Sequence, residues 1–141
     1  KRGMKTNYPT KIRRGFTRKG DILKGSKRGR EAAFHFIAFL DGRDGNSFIG
    51  AVLTHSSRYG NNVLMAEEHF KKTGTNDKKF EFQFGDSYLV KGKFIKLQDW
   101  GPFTKIGELT KKGIDFVDSE TKDLEPELWD DYFERIQKHE N

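Results

Sequence analysis

Cysteine is absent from the 141 residues, which excludes a disulfide framework and any thiolate metal site. That absence fits a reducing compartment, and the cytoplasm is the expected location. No apolar run approaches the roughly 20 residues of a membrane-spanning helix. The basic N-terminus also lacks the apolar stretch of a signal peptide. A soluble protein with no membrane partner is expected.

Metal and nucleotide signatures are missing too. The four histidines (His35, His55, His69 and His139) are scattered, and none forms an HExxH or comparable helix-borne pair. His69, Phe70 and Lys71 spell an HxK, but the companion residues of the phospholipase D-type pattern do not follow. The nuclease pattern of an Asp followed by Glu-x-Lys finds only Glu120, Thr121 and Lys122, in a polar segment beyond the strands. The glycines cluster in turns, without a GxGxxG or P-loop, so nucleotide hydrolysis has no support. No metal and no cofactor are expected, and there are no internal repeats or low-complexity segments.

Acidic residues are nearly missing from one end of the chain. Residues 1–30 hold 12 of the 27 Lys and Arg against one acid, Asp21, whereas eight acids face three bases from Glu120 onward. The basic end is a candidate polyanion-binding arm, with Arg13, Arg14, Arg18 and Lys19 as nucleic-acid contacts. A solvated tail that aids solubility is the simpler alternative. The acidic end either screens the arm or faces a different partner.

What the sequence does have is aromatic surface. Hydrophobic residues make up 33% against 34% charged, but 13 Phe, 4 Tyr and 2 Trp bring enough apolar area for one compact core. The length suits one domain. The expected organisation is a basic N-terminal arm over 1–19, a β domain over 20–119 and an acidic C-terminal helix over 120–141.

"GDILKG" reads as a brief strand. "AAFHFIAFLDG" sets Phe34, Phe36, Ala38 and Leu40 on one face and His35, Ile37 and Phe39 on the other, as in a central strand covered on both sides. "DGRDGN" turns the chain into "SFIGAVLTHS" as an antiparallel hairpin. "KFEFQF" alternates as a half-buried strand, with Phe80, Phe82 and Phe84 inward. In "SYLVKGKFIKLQDW" the alternation slips around Lys91, Gly92 and Lys93, as at a bend. "TKIGEL" is a last strand, after which Thr110 caps a helix through Ile114, Phe116 and Val117. Pro126 suits the first turn of a second helix, whose stripe of Leu124, Leu128, Trp129, Tyr132, Phe133 and Ile136 reads as core packing. The expected fold is mainly β: a small curled antiparallel sheet or SH3-like barrel with short helices and a C-terminal amphipathic helix.

The strongest concentration of chemistry follows Leu53, where Thr54, His55, Ser56, Ser57 and Arg58 run in a row. Thr54 and Ser56 share a strand face and emerge together. Hydroxyls beside guanidinium groups suit a phosphodiester: Arg neutralises charge on the phosphoryl oxygens, and a hydroxyl or imidazole orients or transfers a proton. No metal is needed if the neighbouring 2′-hydroxyl of RNA attacks. The alternative is an ordinary polar strand end whose hydroxyls satisfy local backbone groups. His35, flanked by Phe34 and Phe36, reads as a hydrogen-bonded core histidine ahead of a catalytic one. Arg28 and Arg30, just before the central strand, are equally solvated loop charges or phosphate ligands.

The order "KGDILKG", "KRGREAAFHFIAFL", "FIGAVLTHS", "YLVKGKFIKLQDW" and "KIGELTKKGIDFV" resembles the PemK/MazF-like toxin family over roughly residues 20–117. The matching points include the strand-end Thr54, Asp99 with Trp100, and Gly107 with Leu109 and Thr110. The resemblance implies an SH3-like barrel, often a homodimer, that cleaves single-stranded RNA without a metal and is held in check by an antitoxin partner. Thr54, with Ser56 beside it, takes the place of the family's strand-end Thr. Arg28 or Arg30 takes the place of its Arg, although the Pro that follows in the family is missing and His35 stands nearly there. The implied reading is a metal-independent endoribonuclease with Thr54, Ser56, His35, Arg30 and Arg28 as catalytic residues. The competing class is a non-catalytic nucleic-acid-binding module, RNA favoured over DNA. It would use the arm, His55 and Arg58 for phosphates, and aromatics such as Tyr59 and Phe103 for stacking.

Overall fold

The computed structural model describes the backbone of residues 7–8, 17–57 and 61–140, and the side chains of 17–57 and 61–138. Arg13, Arg14, Arg58 and Tyr59 lie outside the residues whose side chains are described.

Among the described residues nine strands form one sheet: β1 (Asn7–Tyr8), β2 (Asp21–Gly25), β3 (His35–Asp44), β4 (Ser47–Thr54), β5 (Val63–Leu64), β6 (Tyr88–Leu89), β7 (Lys93–Leu97), β8 (Phe103–Glu108) and β9 (Pro126–Glu127). The same residues include the α-helices α1 (Lys111–Thr121), after β8, and α2 (Trp129–Glu140), after β9. The order β1-β8-β2-β3-β4-β6-β5 is antiparallel throughout, and β7 pairs with β4 and in parallel with β9. The protein is therefore mainly β, built on a curled antiparallel sheet. Among the described residues its ladder does not return to its first strand, so the sheet stays open.

β3 is central, between β2 and β4, because both of its faces are apolar. Ala38 lies in one core cluster with Phe36 and Leu40 against it, while Ile37 and Phe39 pack with Leu23, Phe48 and Phe103 on the other side. Fully burying one such side chain contributes about 1.5–3 kcal/mol. The β3–β4 hairpin turns at Gly45 and Asn46, where Asp44 Oδ1 accepts hydrogen bonds from the Asn46 amide (2.7 Å) and the Ser47 hydroxyl (3.0 Å). Gly50 is required where the strands close up, since a Cβ there would meet Ile37 Cγ2 at 2.5 Å.

The slip at Lys91–Lys93 is a real bend. β4 pairs with β6 through Leu53 and Thr54, and separately with β7 through Ser47 to Gly50. Thr110 caps α1 as expected: its hydroxyl accepts from the Gly113 amide (3.1 Å) and donates to the Glu68 carbonyl (2.7 Å). That second bond ties the helix to the 3-10 turn Glu67–His69.

Three expectations need correction. Residues 80–84 alternate but form no strand. The Phe82 amide donates to the Ile106 carbonyl (2.8 Å) and the Phe80 amide to the Lys72 carbonyl (3.0 Å), so isolated bonds replace a ladder while Phe82 still inserts into the core. Pro126 is not in the first turn of a helix; it sits in β9 beside Lys93, and α2 begins at Trp129. Phe103 is not an exposed stacking platform, because it is 1% exposed and packs edge-on against Phe48.

Two ion pairs join the first 30 residues to the helices. Lys19 pairs with Asp118 of α1 at 2.8 Å, and Lys27 with Asp130 of α2 at 3.1 Å. Both pairs are solvent-exposed, which limits each to below about 1 kcal/mol.

Candidate functional site

The end of β4, the start of β3 and one face of α2 enclose a cavity of about 330 Å³. β4 contributes Val52 to Thr54 and, just beyond it, His55 and Ser56; β3 contributes His35 and Phe36, with Phe34 ahead of them; α2 contributes Trp129, Tyr132, Phe133 and Ile136. The apolar stripe of α2 explains this arrangement. Tyr132 is buried among Val52, Val90 and Phe94, with Trp129 and Ile136 against them, and the same face closes one side of the cavity.

Four of the site residues named from the sequence thus come together: His35, Thr54, His55 and Ser56. The Thr54 hydroxyl is held by the Ser56 backbone amide, which donates to Thr54 Oγ1 at 3.2 Å. Asn62 also lines the cavity, and its side-chain amide donates to the Ser56 carbonyl at 2.9 Å, holding the strand exit in place. His55 is exposed. Its Nδ1 lies 2.8 Å from the Gly85 carbonyl, and its ring stacks at 6.0 Å on Phe82.

His35 is half-buried and has a neighbour that sequence reading missed. Lys96 Nζ lies 2.9 Å from His35 Nδ1 and 3.6 Å from the centroid of Trp100. The imidazole stacks on Trp100 and meets Trp129 edge-on, each at 4.4 Å between centroids. Lys96 is 1% exposed, and burial lowers its pKa to about 7 against the opposing pull of Asp130 and Asp99. Burial, and then the charge of Lys96, lower His35 to about 3. His35 is consequently neutral across the physiological range. A signal for Lys96 existed: in β7 the two-residue period puts it on the same face as the buried Phe94.

The arginines are not part of this group. Arg28 and Arg30 are exposed in the turn between β2 and β3, whose backbone is fixed by the Arg28 amide donating to the Asp99 carbonyl (2.9 Å) and the Arg30 amide donating to the Lys27 carbonyl (2.8 Å). Neither lines the cavity, and no Lys or Arg does among the described residues. Arg18 is exposed beside β2, where its amide donates to Asp21 at 3.0 Å, and Lys19 is engaged by Asp118. Among the described residues no group of three or more His, Asp or Glu is placed to hold a metal ion, and no helix is long and apolar enough to cross a membrane.

Chemically, the cavity combines aromatic walls with a polar edge of two imidazoles and two hydroxyls. It can clasp a planar apolar ring and hydrogen-bond the ring's rim. No protein-family model, curated protein or solved structure matches the chain.

Proposed function

We propose that the protein binds single-stranded nucleic acid, RNA ahead of DNA, by taking an unstacked base into this cavity. The observation that carries the reading is the convergence of Phe34, Phe36, Trp129 and Phe133 with His35, Thr54, His55 and Ser56 around one opening. Single-stranded recognition uses aromatic faces for bases and cations for the backbone, and stacking contributes about 1–3 kcal/mol per base. The bases before residue 31 supply the cations. The imidazole and hydroxyl edge suits the 2′-hydroxyl that marks RNA. Phe34, 41% exposed, can be truncated without opening the core. Phe34→Ala is expected to weaken single-stranded RNA binding by about tenfold or more with an unchanged melting temperature. Equal affinity in the variant contradicts the reading.

A second reading, metal-independent RNA cleavage of the PemK/MazF-like kind, is favoured by one observation: both hydroxyls and both imidazoles line the same cavity. Here the 2′-oxygen attacks phosphorus, its proton passes to a base, and the departing 5′-oxygen takes up a proton. His35, with a pKa of about 3, is a poor proton carrier at neutral pH, which leaves that role to His55. The absence of Lys and Arg from the described lining weakens charge stabilisation at phosphorus, and so ranks this reading second.

A further inference from the structure

The two imidazoles in the cavity are each held through Nδ1, but by partners of opposite hydrogen-bonding character. An ammonium carries three donors and no acceptor. With Lys96 charged and its Nζ 2.9 Å from His35 Nδ1, that nitrogen accepts, so the proton of the neutral ring sits on Nε2. The Trp100 ring face at 3.6 Å, Asp99 beside that ring and Asp130 on α2 favour the ammonium while burial opposes it, and the neutral amine that forms above about pH 7 still holds two N–H donors for the same nitrogen. His55 is the converse. A carbonyl oxygen only accepts, so Nδ1, 2.8 Å from the Gly85 oxygen, carries the proton, and the neutral ring leaves Nε2 bare.

We propose that Lys96 and the Gly85 carbonyl lock His35 and His55 in opposite tautomers, so that the cavity presents one N–H donor and one bare acceptor nitrogen to the edge of a nucleobase. The inference rests on the base-binding reading and extends it to what the site recognises. A base edge carries both a ring N–H or amino donor and a carbonyl or ring-nitrogen acceptor, so it holds a partner for each kind of imidazole. A backbone phosphodiester offers acceptors alone and leaves the His55 nitrogen unanswered. His35 and His55 are therefore binding residues, and Lys96, which acts through His35, is a positioning residue.

The test is nitrogen-15 imidazole NMR on the full chain at pH 7, alone and with uridine 5′-monophosphate, its 3-methyl analogue or inorganic phosphate. The free protein is expected to show His35 protonated on Nε2 and His55 on Nδ1, and uridine monophosphate to shift Nε2 of both. The 3-methyl analogue lacks the ring N–H that His55 accepts, and is expected to bind about tenfold more weakly or worse. Lys96→Met, where it folds, is expected to release His35 into a mixture of tautomers; the wild-type spectra decide the matter where it does not. Identical tautomers at the two rings, or equal affinity for uridine monophosphate and its 3-methyl analogue, overturn the inference and leave base binding standing. Shifts with inorganic phosphate alone, or with none of the three, overturn both.

Discussion

Lys96 Nζ and His35 Nδ1 meet at 2.9 Å although 61 residues separate them; burial makes both harder to protonate, and the charge of Lys96 adds to this at His35. The unfolded chain releases both groups from burial. Between about pH 3 and 6.5 it binds a proton at His35 that the folded protein declines, so this contribution to stability is lost as pH falls through that window. Lys96 acts in the same direction higher up: between about 7 and 10.5 the unfolded chain binds more protons, so the folded state gains stability as pH rises. The melting temperature measured from pH 6.5 to 10 is expected to show that rise, and Lys96→Met to flatten it. Superimposable profiles for the two proteins contradict the assignment.

Gly113 sits in the first turn of α1, where a Cβ would collide with the His69 carbonyl oxygen. Replacing a helical glycine by alanine ordinarily helps by about 1 kcal/mol. Here the backbone of the 3-10 turn stands in the way, so Gly113→Ala is expected to lower stability by about 1–3 kcal/mol in chemical denaturation. A stabilised variant means that α1 and the turn do not pack this closely.

If the cavity cleaves RNA, Thr54→Ala is expected to reduce cleavage in EDTA by about 10²-fold or more while binding persists. Wild-type cleavage that appears only with added divalent metal excludes the mechanism. Cleavage unaffected by the substitution excludes the residue.

The basic arm is expected to act on the phosphates. Removing residues 1–16, which leaves the Lys19–Asp118 pair in place, should weaken RNA binding and flatten its salt dependence, because each neutralised phosphate adds about −0.7 to the logarithmic slope on single strands. An unaltered slope assigns the phosphate contacts elsewhere.

The parts of the fold that were legible were those where period and burial agree. The two-faced apolar pattern of β3, the Asp-Gly-Asn hairpin turn, the bend after Val90 and the Thr110 cap all follow from local residues. Phe80, Phe82 and Phe84 misled because alternation reports which side chains turn inward, and says nothing of whether a neighbouring strand supplies a ladder. Pro126 misled because a helix-start residue also suits a short edge pairing. At the site, the strand-end cluster from Thr54 to Ser56 was visible as a run of polar residues. The Lys96 contact and the Trp100–Trp129 enclosure of His35 were not, since they join β3, β7, the following turn and α2 across long stretches of chain. Arg28 and Arg30 precede His35 in sequence, yet the turn that carries them leaves them outside the cavity.

The most direct measurement uses the only two tryptophans, labelled with 5-fluorotryptophan and assigned by Trp129→Phe. Titration with single-stranded RNA is expected to shift the Trp129 fluorine resonance saturably, with the same dissociation constant that anisotropy gives for the RNA, and duplex RNA of equal length is expected to leave it in place. RNA that binds by anisotropy while the Trp129 resonance stays fixed would contradict the claim that the base enters this cavity.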